Sequence, residues 1–191
     1  MSTVTTDNVV VRKLLGHELP RFRDHLLRLD KESRRLRFAH AVADSFIVDY
    51  ATRMGERGGI VFAALVDGEV RGAAELRKLG DTWGREAEAA FSVELSRQGQ
   101  GLGTALMGRV IRAARNRGVQ LLYMSCLAEN ARMQAIARRH EAGLRLEYGE
   151  VIGEIVPDAA DYLSLVGEAV EDRMGYVLSV LDLSARLVKA A

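Results

Sequence analysis

The sequence predicts an α/β fold, and three observations carry that reading. Apolar runs of strand length alternate with stretches of helical periodicity between Val9 and Val156. An Asp67-Gly68 pair separates two of the strand-like runs, and a strand, a glycine-rich loop and an amphipathic helix follow one another between Glu86 and Arg117.

Val9-Val10-Val11 is a β-branched run that suits an opening strand, and Glu18 to Leu29 then carries apolar residues at helical spacing. Ser33 and the charged run through Phe38 read as a second short helix, and Asp44 is placed to N-cap a third that ends at Gly55. Ile60 to Val66 and Val70 to Leu76 form an antiparallel hairpin, because Gly68 tolerates the positive φ that a tight turn needs. From Ala87 to Val93 small and apolar residues alternate with Glu86, Glu88, Ser92 and Glu94, which gives a two-faced strand with its acidic side chains on one face.

After the glycine loop, Leu106, Met107, Val110, Ile111 and Ala114 mark one helical stripe that ends at Gly118. Val119 to Cys126 is a strand, Ala131 to His140 a helix, and Leu144 to Leu146 with Val151 to Val156 the closing strands. Past Pro157, Asp158 can cap a long helix with Val166, Val170, Met174, Val177, Leu181 and Val188 along one face. The expected organisation is one domain over residues 1–156 and an amphipathic helical extension over 157–191. That helix either packs back on its own domain or joins two copies in a homodimer, and periodicity does not distinguish the two.

The composition is that of a globular protein, with 48% hydrophobic and 28% charged residues. The 27 basic residues nearly cancel the 26 acidic ones, so no global field holds the chain on nucleic acid, and no nucleic-acid partner is expected. Residues 1–7 show no basic stretch followed by an apolar one, and no apolar run reaches membrane-spanning length, so neither secretion nor a membrane is expected. The single cysteine, Cys126, fits a reducing compartment, and the expected localisation is cytoplasmic. It sits on an apolar strand without an activating histidine beside it, and reads as a buried structural thiol.

The stretch Gln98-Gly99-Gln100-Gly101-Leu102-Gly103-Thr104 carries the chemistry. Successive small residues let main-chain N–H groups converge on an anion, and the start of the following helix adds its positive end, so a diphosphate is the natural ligand. A nucleoside-triphosphate loop needs a lysine before the Ser or Thr, which is absent here, and a dinucleotide fingerprint needs a different glycine spacing from that of Gly99, Gly101 and Gly103.

Gln98, Gly101 and Gly103, with Val93 at the strand's end, resemble motif A of the GNAT superfamily, the GCN5-related N-acetyltransferases. The longer run from Ala87 to Val93 and from Gly103 to Met107 is similar to bacterial protein-lysine acetyltransferase domains. Asn130 matches the asparagine that opens the next helix of the family. The resemblance implies a central mixed, mostly antiparallel sheet of six to seven strands flanked by helices. It also implies acetyl-CoA or another acyl-CoA as donor, no metal, and direct attack by a primary amine, either of a small molecule or of a protein lysine.

On that resemblance the cofactor-binding residues are Val93, Leu95, Gln98, Gly99, Gln100, Gly101, Leu102, Gly103, Thr104 and Asn130, with main-chain groups near Val93 and Leu95 meeting the acyl and pantetheine portions. Glu88 and Glu94 are the candidate bases, Glu88 first, because the similar lysine acetyltransferases carry an acid ten residues before the loop glutamine. One departure stands out: the tyrosine by which many family members protonate the leaving thiolate is replaced by Ala137, which leaves Tyr123, Tyr148 or water. The alternative function is a non-catalytic acyl-CoA sensor. Arg34, Arg35 and Arg37 read as a solvated basic face or as the entrance for the acceptor.

Overall fold

The computed structural model describes residues 8–190, with side chains described through Ser184. Residues 1–7 and the side chain of Val188 lie outside the described residues. Seven strands form one sheet: β1 (Val9–Lys13), β2 (Ile60–Val66), β3 (Glu69–Lys78), β4 (Glu86–Val93), β5 (Leu121–Leu127), β6 (Gly143–Glu147) and β7 (Glu150–Ile155), in the order β1-β2-β3-β4-β5-β7-β6. Every pairing is antiparallel except β4 with β5. The helices are α1 (Leu19–Arg28), α2 (Lys31–Phe38), α3 (Asp44–Glu56), α4 (Leu102–Arg115), α5 (Ala131–Arg139) and α6 (Tyr162–Ala190).

The expected hairpin is present, and Asp67 and Gly68 both take positive φ, 52° and 78°, the conformation that matches a tight turn to the twist of its strands. Three helix starts differ from the sequence reading, in α2 and α6 because a neighbouring acid caps and in α3 without any side-chain cap. Asp30 caps α2 through the Ser33 N–H, Ala43 rather than Asp44 precedes α3, and Asp161 rather than Asp158 accepts the Ser164 N–H at the start of α6.

Each face of the sheet buries its own core. Leu102, Leu106, Met107 and Val110 of α4 pack with Phe62, Leu76, Ala89, Leu122 and Met124 on one side. On the other side Phe22, Leu26, Ile47 and Met54 of α1 and α3 cover Val61, Ala63, Leu65 and Val70. β2 is buried at all seven positions because helices lie over both its faces, which explains why it reads as an unbroken apolar run rather than an alternation.

α6 lies back across β1 and α4, attached by its polar face. Glu168 meets Arg117, Glu171 meets Arg109 and Arg112, Asp172 meets Lys13, and Asp182 meets Arg21. Gly175 lets the helix approach β1, its Cα position facing the Arg12 side chain. The predicted stripe is therefore turned outward: Val166, Val170, Met174, Val177 and Leu181 are 40–61% exposed.

Candidate active site

β4 and β5 pair only from Glu86–Leu121 to Glu88–Tyr123. Beyond that point they diverge, β4 remaining on β3 as far as Val93 and β5 on β7 as far as Leu127. The edges that face each other across the gap keep main-chain N–H and C=O groups with no strand between them, and such groups seek partners.

The loop lies at the wide end of this gap. Gly99 and Gly101 have φ of 76° and 83°, and nothing stands within 4 Å of where either Cβ would be. Glycine is needed there for its left-handed backbone rather than for space. Gly101 is the residue before α4 and its carbonyl accepts from Ala105 N, so the N–H groups of Leu102, Gly103 and Thr104 are those that a helix start leaves without an intrahelical acceptor. The turn is open, and the positive end of α4 faces the cleft beside it.

That cleft holds about 330 Å³ and is walled by α2, the end of β4, the loop and α5. Val93, Gln98, Gly99, Gly101, Leu102, Gly103, Thr104 and Asn130 line it. The Gln98 side chain braces its mouth: its amide nitrogen donates to the Val93 carbonyl at 3.0 Å, and its oxygen accepts from Arg132 of α5. Asn130 caps α5 by accepting from the Met133 N–H at 3.1 Å. Gln100 turns away, donating to the Ser96 carbonyl. Leu95 opens a short 3-10 turn with its side chain 59% exposed, and it is not among the residues that line the cleft.

Several lining residues escaped the sequence reading. Arg97, Arg132 and Arg139 add cationic groups to the wall, and arginines on two segments so far apart in the chain give no spacing signal that would reveal them. Arg34, Arg35 and Arg37 do not form a solvated basic face. Arg34 pairs with Asp44 and Arg35 with Glu32 and Glu129. Arg37 lines the cleft but is buried, bound to Glu75 and the Tyr50 hydroxyl.

Neither candidate base lines the cleft. Glu88 lies on the same face of β4 as Ser92, where Arg77 Nη2 donates to its Oε1 at 2.6 Å, and its side chain is 39% exposed. Its second oxygen makes no hydrogen bond among the described residues. Glu94 follows β4 and is buried, with His25 at 3.2 Å, Arg28 at 3.0 Å and Arg71 at 2.7 Å. Burial alone would raise its pKa, but hydrogen bonds from His25 and Arg71 and the charge of Arg28 outweigh burial and hold it near about 2. A carboxylate so stabilised is a poor proton acceptor, which removes the physical basis for Glu94 as base.

Of the two tyrosines, Tyr148 stands fully exposed at the tip of the β6–β7 turn, while Tyr123 is in register with Glu88 across the last β4–β5 pair. Ala137 is buried, packed within the core beneath α5. Cys126 is buried, and burial raises its thiol pKa, so it is not a thiolate.

The family model of the acetyltransferase (GNAT) family matches residues 23–141. The chain belongs to the GNAT acetyltransferase family. Among solved structures, this GNAT chain is similar to the GNAT domain of PAT from S. lividans, at 21% identity and a TM-score of 0.67 over 82% of this chain and 99% of that one. It is also similar to yncA of Salmonella typhimurium, a putative acetyltransferase with its cofactor acetyl-CoA, at 16% identity and a TM-score of 0.59 over 81% and 96%. A third similar structure is the ribosomal-protein-alanine N-acetyltransferase of Brucella melitensis, at 19% identity and a TM-score of 0.58 over 77% and 99%. A sequence comparison with curated proteins returns no match. The splayed β4–β5 gap and its glycine loop thus lie within a GNAT fold, and the sheet has the seven strands at the upper end of the expected number.

Proposed function

We propose that this GNAT domain transfers an acyl group, acetyl first, from acyl-CoA to a primary amine by direct attack. The observation that carries the reading is the open turn at Gly99 and Gly101 beside the start of α4, at the wide end of the β4–β5 gap. Acyl-CoA supplies a thioester whose carbonyl carbon the amine attacks. The N–H groups of Gly101 to Thr104 hold the coenzyme diphosphate, with Arg97 and Arg132 supplying charge from the wall. The pantetheine arm lies in the gap, where main-chain groups from Val93 to Leu95 orient it and an N–H meets the negative charge that develops on the carbonyl oxygen. Holding both reactants in this gap supplies the proximity on which the transfer depends.

Glu88 is the base, through its uncommitted oxygen, directly or across a water. Tyr123, in register beside it, is the side-chain candidate for protonating the thiolate. Peptides bearing a free lysine side chain and peptides bearing a free α-amine cover the two classes of protein acceptor. Titration with acetyl-CoA and longer acyl-CoAs, repeated on Gly101→Glu, tests the seat itself: a carboxylate there repels the diphosphate, and an unaltered affinity would show the loop reading to be wrong.

A second reading, an acyl-CoA sensor without turnover, draws on Ala137 in place of a tyrosine and on a cleft lined by neither candidate base. It predicts tight acyl-CoA binding with no product from any amine in a broad screen. Independently of which reading holds, we propose that residues 157–191 are an extension of the 1–156 domain and that the outward apolar face of α6 is a homodimer contact.

A further inference from the structure

On the α1 side of β4 lies a hydrogen-bonded chain that the proposed mechanism does not use. Ser92 lines the cleft. Its Oγ is 2.9 Å from His25 Nε2, and His25 Nδ1 is 3.2 Å from Glu94 Oε1. Arg28 and Arg71 hold Glu94 from the far side. His25 is wholly buried, and Ser92 and Glu94 are 8% and 7% exposed.

The charge on Glu94 sets the direction of the bonds in this chain. An ionised carboxylate can only accept, so His25 Nδ1 carries the proton. Burial disfavours the imidazolium and, with the charge of Arg28, lowers the His25 pKa, outweighing the hydrogen bond to Glu94, the Glu94 charge and a hydrogen bond to the Ser92 main chain, which oppose it. The ring is therefore neutral, and Nε2 presents a lone pair. The Ser92 hydroxyl must then point its proton inward at Nε2. What remains for the cleft is the other side of Oγ, a hydroxyl oxygen that can only accept.

We infer that Ser92 is a further catalytic residue of the transfer, its Oγ accepting an N–H of the attacking amine, with His25 and Glu94 as positioning residues that fix the hydroxyl as an acceptor. The inference rests on the acyl-transfer reading of the cleft. Ser92 shares its strand face with Glu88, the face covered by α1 and α2 rather than by α4, which favours the acceptor amine over an amide of the coenzyme arm. The nitrogen lone pair forms the new C–N bond, the C–S bond breaks with its electron pair leaving on the coenzyme sulfur, which takes a proton from Tyr123 or water, and the nitrogen's surplus proton goes to Glu88. Ser92 gains and loses no proton. The order Ser, His, Glu resembles a nucleophilic triad, but a serine proton delivered to this sealed imidazole would create the charge that burial opposes.

The test uses the full chain with acetyl-CoA as donor and a lysine peptide and butylamine as probes. In Ser92→Ala, kcat/KM for the amine falls about tenfold or more while acetyl-CoA affinity is unchanged, and Ser92→Thr restores most of the loss. His25→Gln, whose amide can both donate to Glu94 and accept from Ser92, retains activity, whereas His25→Phe loses as much as Ser92→Ala. Imidazole nitrogen NMR finds His25 protonated on Nδ1 alone. Should neither amine turn over, butylamine added to the CoA complex still shifts the His25 Nε2 resonance in the wild type and not in Ser92→Ala.

Several results would overturn the inference. They are unchanged amine kinetics in Ser92→Ala, a His25 ring protonated at Nε2, an unmoved Nε2 resonance, or an acyl ester on Ser92. Acetyl-CoA affinity that falls with Ser92→Ala gives the N–H to the coenzyme arm and overturns the amine assignment. Failure of the wild type to bind acetyl-CoA would instead sink the loop reading, and the proton position on His25 is measurable regardless.

Discussion

Glu18 and Glu94 are both buried acids kept ionised by arginines, and neither fact is visible in the spacing of the sequence. Glu18 accepts from Arg12 at 2.6 Å and 2.7 Å, from Arg21, and from the Leu15 N–H. Burial raises its pKa, but those partners outweigh burial and lower it from 4.5 to about 2. Because the folded value lies below the unfolded one, the stabilisation is complete above about pH 4.5 and is lost as pH falls toward 2, amounting to at most about 3 kcal/mol. Urea midpoints measured from pH 5 to pH 2 are expected to fall across that window, and Glu18→Gln to flatten part of the slope while lowering the midpoint at pH 7. A Glu18→Gln midpoint that tracks the wild type at every pH would contradict this. The face of β4 that carries Glu88 was readable from the alternation of the strand, whereas its role as base is a proposal; on that proposal Glu88→Gln should lower kcat about a hundredfold or more with acyl-CoA affinity unaltered. The His25–Ser92–Glu94 chain was not readable, since His25 and Ser92 are 67 residues apart and meet only when α1 lies on β4.

Elements reveal themselves in a sequence to the degree that their own periodicity determines them. The β2–β3 hairpin, the loop and α4 were legible because a turn dipeptide, glycines needing positive φ and a single apolar stripe are local signals. α2 shows the opposite case. It buries no residue fully, and what fastens it over the sheet is Arg37, bound to Glu75 of β3 and the Tyr50 hydroxyl of α3, with its guanidinium over the Phe38 and Tyr50 rings. Read along the chain, Arg37 is one more charge in a basic run; only tertiary contact makes it an anchor. Arg37→Leu would leave Glu75, 1% exposed, without a countercharge, at a cost of about 3–5 kcal/mol. The expected outcome is a lowered denaturation midpoint together with faster hydrogen exchange in α2. Arg37→Leu combined with Glu75→Leu should recover much of the loss, because the unpaired charge is the main penalty.

At the scale of the molecule, the sheet order and the splayed pair place the cleft within one protomer, while α6 sets how the molecule presents itself to others. Its periodicity was legible, but its orientation was not, since a stripe of apolar residues is equally compatible with facing inward or outward. Ion pairs to Arg109, Arg112, Arg117, Lys13 and Arg21 decide the matter by claiming the polar face for the domain. From Tyr162 to Leu183, 11 apolar side chains are then 40–79% exposed. An apolar face made of so many neighbouring side chains differs from singly scattered surface residues, and contiguous exposed faces of that kind mark interaction sites. Among the described residues Arg173 is the one exposed cation within it, and the occupant proposed above is a second copy laid against the same face. Sedimentation equilibrium should give a dimer at micromolar concentration. Met174→Glu with Leu181→Glu, both facing solvent and clear of the ion pairs, should give a folded monomer with an unaltered melting profile at low concentration. Because, among the described residues, none that lines the cleft comes from α6, acyl-CoA affinity should be the same in both forms, and a wild type that sediments as a monomer would refute the dimer.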